Sequence, residues 1–264
     1  MSNSIIPPNR VKRALQAGQS VVGTMVVEIR QPAVIQFLAN AGFDFIIIDN
    51  EHGSFNLETI ADLSRTAIYL GLTPIVRIPD LTYPYVAQTL DAGAQGIMVP
   101  RIYEPQPVRE AVQIMKYPPV GLRGSALSRG YTGFKSGSVV EAMAAANQET
   151  MLIVQIETRP ALENIDEIIS IPGVDAAFIG PNDLSIALGL PGQLESPEVH
   201  AAINNTIAAC QRHGVIPAIH MNSAELAVYW AKQGMRLVSV DSEASLMMKG
   251  GLAVTSALGQ AFGR

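Results

Sequence analysis

Phe43-Asp44-Phe45-Ile46-Ile47-Ile48-Asp49-Asn50-Glu51-His52 passes from an apolar run to two acids and a histidine with no break between them. The apolar part does not alternate with polar residues, so both of its faces are to be buried, as in a strand of a parallel sheet. The same kind of run recurs at Val21–Val27, Thr73–Ile78, Gly96–Val99, Leu152–Glu157, Ala176–Ile179, Val215–Ile219 and Leu237–Val240. With Phe43–Asp49 this gives eight runs, separated by stretches of helical periodicity. Asn56 and Ser196 stand as N-caps, with Pro197 at a first helical position. Gly42, Gly71, Gly93, Gly214 and Gly234 stand where helices should stop. Eight βα units in 264 residues predict a (β/α)8 TIM barrel, one domain spanning 1–264. A doubly wound open sheet is the main rival, but the residues after the first run, Glu28-Ile29-Arg30-Gln31-Pro32, are no glycine-rich turn. One connection, Ile102 to Met151, is unusually long and reads as an active-site excursion.

Composition excludes several classes. A chain this long buries a core large enough to need no staple, and the single Cys210 rules out a disulfide framework or a multi-cysteine zinc site. A net charge of −5 argues against nucleic acid as a partner. The apolar runs are too short to span a bilayer, and residues 1–10 carry no signal-peptide run, so the expected location is the cytoplasm.

A parallel barrel works at the C-terminal ends of its strands. The polar residues collect there: Asp49, Glu51 and His52, then Arg77, Arg101, Gln155, Glu157, Asn182, Asp183, His220, Asp241 and Glu243. The strand entrances are apolar. Glu157 and Asp183, from adjacent strands, could form a site for a hard divalent cation or could pair with arginines. Asp49 and His52 flank one turn, where the carboxylate could orient the imidazole as a general base. Arg77 in an apolar strand needs an anion, from the protein or from a substrate. None of the five lysines falls within a predicted strand, which removes Schiff-base chemistry. No phosphate loop follows the seventh or eighth run, and Gly124-Ser125-Ala126 makes no nucleophile elbow. His200, His213, Cys210 and Trp230 read as structural residues, and His220 is divided between a structural role and a place in the site.

Five ordered segments carry a resemblance. They are Ile48–Gly53, Val76-Arg77-Ile78-Pro79, Leu90–Pro100, Val154-Gln155-Ile156-Glu157 and Phe178–Ser185. Together they resemble the metal-dependent (class II) pyruvate aldolases, a family that includes 4-hydroxy-2-oxoheptanedioate aldolase, 2-dehydro-3-deoxyglucarate aldolase and macrophomate synthase. The resemblance implies reversible cleavage of 4-hydroxy-2-oxo acids to pyruvate and an aldehyde, with oxaloacetate decarboxylation as a side activity. It implies Glu157 and Asp183 as ligands of a divalent metal (Mg²⁺, Mn²⁺ or Co²⁺) and Arg77 at the pyruvate keto oxygen. His52, oriented by Asp49, is implied as acid and base, and Gln155 as pocket lining. Main-chain amides around Gly180 and Asn182 would receive the pyruvate carboxylate. Asp91 is implied to act across a subunit interface. Relatives exchange the last helix and assemble as homohexamers, trimers of dimers, and the tail from Met247 to Phe262 would suit that exchange. A plain packed eighth helix would leave the same trace. An acyl-CoA lyase of the citramalyl/malyl-CoA type and a non-catalytic keto-acid-binding barrel are the alternatives.

Overall fold

The computed structural model describes residues 4–263. The eight runs form eight parallel strands in sequence order, closed into a barrel by pairing of the last strand with the first. They are β1 (Val21–Val26), β2 (Phe45–Asp49), β3 (Thr73–Arg77), β4 (Gly96–Val99), β5 (Met151–Gln155), β6 (Val174–Ile179), β7 (Ile216–Met221) and β8 (Leu237–Ser242). The TIM-barrel reading holds, with strand ends displaced by two residues at most.

The two burying faces of each strand are now distinct. Phe45 and Ile47 of β2, Ile75 of β3, Met98 of β4, Met151 and Ile153 of β5, Phe178 of β6, Ala218 of β7 and Leu237 of β8 fill the interior. Ile46, Ile48, Val76, Ile97, Val99, Leu152 and Val154 face outward against the helices. That period of two settles where the strand-end residues point. Asp49, Arg77, Gln155 and His220 continue the inward rows of Ile47, Ile75, Ile153 and Ala218. They form a polar layer on top of an apolar plug.

The bottom of the barrel is closed by the short helix Arg10–Gln16, whose Val11 and Leu15 join the interior cluster. Asn9 caps this helix at the N–H of Lys12 and donates from Nδ2 to the carbonyls of Gln95 and Glu149. The predicted caps are present. Asn56 accepts from the N–H of Thr59 and Ser196 from that of Val199, while Gly71 and Gly214 end their helices in the left-handed region. The long connection holds the helices Pro105–Met115 and Val139–Glu149 with an irregular segment between them.

The final helix, Glu243–Phe262, is the element that departs most from a plain barrel. Only Glu243 within it is buried, and Met247, Met248, Leu252, Val254 and Leu258 are exposed apolar residues. Among the described residues no helix is long and apolar enough to cross a membrane.

Candidate active site

Parallel pairing of β2 with β3 sets Asp49 directly beside Arg77. The guanidinium donates to both carboxylate oxygens, Nε to Oδ1 at 2.9 Å and Nη2 to Oδ2 at 2.7 Å. Its third nitrogen, Nη1, stands 3.1 Å from Oε2 of Glu51. Arg77 is therefore gripped by two buried carboxylates, and this pairing offsets the cost of desolvating it. Burial pushes the Glu51 carboxyl above its ordinary range against the pull of Arg77. Glu51 Oε2 makes no hydrogen bond.

Asp49 does not orient the His52 ring. Its remaining contacts go to the main-chain N–H groups of Glu51 at 3.0 Å and His52 at 3.4 Å. These bonds fold the turn after β2, and Arg77 has already claimed the carboxylate. The imidazole lies instead near Glu51, with Nε2 3.8 Å from Oε2, and its side chain is 67% exposed at the mouth.

On the other side, β5 delivers Gln155 and the residue two beyond it, Glu157, both buried. Glu157 Oε1 accepts the N–H of Arg101 at 3.0 Å, and Oε2 accepts from Gln155 Nε2 at 2.6 Å. Arg101 holds this position with a φ of 55°, a strained conformation for a residue with a side chain. Burial, reinforced by the charges of Asp183 and Glu51, pushes the Glu157 carboxyl up to about 7. Asp183 and Asn182 are exposed in the first turn of the helix Pro181–Ala187, where Gly180 is the N-cap. Gly180 leaves room for these side chains: a Cβ there would stand 2.7 Å from Glu157 Oε2 and 3.0 Å from Gln155 Nε2, so both would have to shift. The Oε1 atom of Gln155 is buried without a hydrogen bond.

These features fit a divalent cation. Glu157 is a buried carboxyl whose ionised form is disfavoured by burial and by the charge of Asp183, a cation would favour that ionised form, and the carboxylate donors are hard oxygens. Among the described residues there is no group of three or more His, Cys, Asp or Glu that could hold a metal.

Asp91 lies elsewhere. It occupies the last turn of the helix Tyr83–Ala92, which returns from β3 to the start of β4, and so it sits at the bottom of its own barrel. There it accepts from Nη2 of Arg123 at 2.6 Å, and the Arg123 guanidinium lies over the rings of Tyr117 and Tyr131. Two other rim acids are structural. Glu243 accepts the N–H groups of Val27, Glu28 and Ile29, and Asp241 holds Lys249 and Ser245. Glu51 and Arg101 stood on the predicted rim without a role. The signal for Glu51, an acid two residues past the strand end, is visible only once Arg77 is known to sit beside it.

Residues 24–248 match the family described as HpcH/HpaI aldolase/citrate lyase. The chain is 35% identical over 254 residues to the 4-hydroxy-2-oxo-heptane-1,7-dioate aldolase of Salmonella typhimurium, covering 95% of each chain. It superposes on an HpcH/HpaI aldolase from Desulfitobacterium hafniense DCB-2 with a TM-score of 0.91 and 33% identity, covering 94% of this chain and 96% of that one. Macrophomate synthase gives a TM-score of 0.84 at 28% identity, covering 99% of this chain and 94% of that one. The acyl-CoA lyase alternative is not favoured, because the relatives that match across nearly the whole chain are named as aldolases. Fold, strand-end chemistry and these relatives converge, and the chain belongs to the HpcH/HpaI aldolase/citrate lyase family, a family of carbon–carbon lyases.

Proposed function

We propose that this protein cleaves 4-hydroxy-2-oxo acids reversibly to pyruvate and an aldehyde, with a divalent cation held by Glu157 and Asp183. The observation that carries the reading is the buried Glu157 carboxylate beside Asp183, set across the mouth from an arginine locked in place by Asp49 and Glu51. The cation, when bound, supplies a Lewis acid that draws electron density from the 2-oxo group.

The chain's own residues do the rest. Arg77 is held by donors that bond Asp49, and its positive face receives the charge that develops on the 2-oxo oxygen as the C3–C4 bond breaks. Its preorganisation is the reason for two carboxylate partners, since a mobile guanidinium would have to be reoriented during the reaction. His52, exposed at the mouth and 3.8 Å from Glu51, takes the proton of the 4-hydroxyl group, and the carbonyl of the departing aldehyde forms. The bonding pair passes to C3 as the enolate of pyruvate, and the same proton returned to C3 completes pyruvate. Gln155 lines the pyruvate pocket. The N–H groups of Asn182 and Asp183 in the first turn after Gly180 have no helical partner of their own and suit the substrate carboxylate. Oxaloacetate, which reaches the same enolate by losing CO₂, is a slow alternative substrate.

The exposed apolar face of Glu243–Phe262 and the position of Asp91 at the bottom of its own barrel support a homohexamer, a trimer of dimers with the last helix exchanged. Asp91 would then enter a neighbouring subunit's mouth. Light scattering should give six times the 28.2 kDa chain mass. The place of work is the cytoplasm.

The test of the reaction is pyruvate release from 4-hydroxy-2-oxo acids, followed after EDTA treatment and again after adding Mg²⁺, Mn²⁺ or Co²⁺. Release that needs the metal supports the reading; release at the full rate after EDTA refutes it.

A further inference from the structure

His220 is a polar side chain that the mechanism above leaves unused, on the inward face of β7 directly after Ala218 in that row. Pairing of β7 with β8 sets it beside Ser239, which is completely buried. The Nδ1 atom of the imidazole lies 3.0 Å from Ser239 Oγ, within the wall. The Nε2 atom lies 3.1 Å from Oδ1 of Asn222, on the solvent side. An amide oxygen only accepts, so Nε2 carries the proton and Nδ1 accepts from the serine hydroxyl.

Burial, together with the positive charge of Arg77, pushes the imidazole pKa below its ordinary value against the Asn222 bond and the charges of Asp241 and Asp49. The ring is therefore a neutral group with one N–H facing the mouth, and its electrostatic neighbours are Arg77 and Asp49 themselves. Its present acceptor is replaceable. Asn222 is exposed, and exchanging its oxygen for that of a ligand trades one hydrogen bond for another. Lys249 donates to the Asn222 carbonyl at 3.1 Å, so the main chain of that turn stays in place while the side chain is free to yield.

We propose that His220 is a specificity-determining residue, whose Nε2–H donates to the hydroxyl oxygen of the aldehyde substrate and so favours aldehydes with a hydroxyl beside the carbonyl over alkyl aldehydes of equal size. This rests on the aldolase reading above. A neutral donor suits a neutral oxygen, whereas a carboxylate at that place would call for a cation. An alkyl group at that place displaces the Asn222 oxygen and leaves the Nε2–H without an acceptor. One such hydrogen bond corresponds to a preference of about tenfold.

The experiment uses metal-loaded wild type, His220→Leu and His220→Gln, with pyruvate and either glycolaldehyde or propionaldehyde, which have the same number of heavy atoms. kcat/KM is measured for each aldehyde, and exchange of the pyruvate methyl protons in D₂O without aldehyde serves as the control. The expected result is that the glycolaldehyde preference falls about tenfold in His220→Leu and is largely kept in His220→Gln, with exchange unchanged in both. His220→Met is the second apolar variant if the leucine does not accumulate as folded protein. An unchanged preference with exchange intact overturns the inference, and so does an equal loss on both aldehydes. Loss of exchange in the variants also overturns it, since His220 would then serve the pyruvate half of the reaction. Absence of exchange in the wild type with every metal overturns the aldolase reading, and the inference with it.

Discussion

The two ends of this barrel both bury polar groups, but they treat them differently. At the bottom, Asn9 uses both amide N–H bonds on the carbonyls of Gln95 and Glu149, and its oxygen accepts from Lys12 and Thr73. Lys116 points its ammonium at three acceptors, the carbonyls of Asn147 and Thr150 and the Thr150 hydroxyl, at 2.8–2.9 Å. At the mouth, Gln155 Oε1 is buried without a hydrogen bond, Glu51 Oε2 is met by the Arg77 ion pair alone at 3.1 Å, and Glu157 is an acid raised to about 7. Around Asn9 and Lys116 the bottom is a satisfied network that holds strands and plug together, and among the described residues its one buried side-chain nitrogen without a hydrogen bond is Nε of Arg123, beside Asp91. At the mouth the unpartnered oxygen of Gln155 lies on the side chain that bonds Glu157, and a buried polar group without a partner costs stability that a bound ligand can restore.

The sharpest way to break this contrast is Glu157→Gln. The substitution keeps the shape and one acceptor for the Arg101 N–H but removes the charge. Turnover should fall by about a thousandfold, the loss of several kcal/mol of transition-state stabilisation, while the unfolding midpoint holds or rises. Calorimetric titration with Mn²⁺ should show weakened binding; unchanged affinity would remove Glu157 from the metal site. Next in size is Arg77→Lys, which retains a charge but cannot bond Asp49 with two donors and also meet Glu51. Activity should drop about a hundredfold, with a measurable loss of stability because Glu51 and Asp49 remain buried. Full activity in that variant would mean that the fork geometry is irrelevant.

At the other end the expected readouts reverse. Asn9→Ala should cost about 3 kcal/mol in urea unfolding, from a lost cap and two buried carbonyls left without donors, with kcat unchanged once folded. A variant that lost activity while keeping its stability would blur the division between the two ends.

The smallest effect is a pH dependence at Lys116. Burial first, and then the charges of Lys12 and Arg123, push its pKa down to about 8 against the pull of Asp175. Between that value and the ordinary lysine range the unfolded chain holds a proton that the folded chain releases, so stability rises with pH across this window. Wild type should therefore gain on Lys116→Met as pH goes from 8 toward 10.5, and a flat difference would show the ammonium to be held by its three acceptors despite its burial.

The fold was legible because β2, β3 and β5 announce themselves as runs buried on both faces, with their polar residues gathered at one end. The mouth was legible as a set of residues but not as a set of bonds. Asp49 and His52 are neighbours in sequence, and that adjacency suggested a pair. The register of β2 against β3 gives the Asp49 carboxylate to Arg77, a residue far along the chain. Glu51 was invisible for the same reason, because its partner comes from the next strand. Glu243, on the rim by sequence, is instead turned toward the main chain after β1, a contact spanning almost the whole chain length. Periodicity specifies which face a residue occupies, whereas partners are set by which strands become neighbours.

Exchange of the pyruvate methyl protons in D₂O, followed by NMR on EDTA-stripped protein and again after adding Mg²⁺, Mn²⁺ or Co²⁺, tests the central claim that the mouth is completed by a cation and a 2-oxo acid. The account predicts exchange that appears only with the metal and is lost in Glu157→Gln. Exchange that proceeds unchanged in EDTA, or none with any of the three ions, would contradict it.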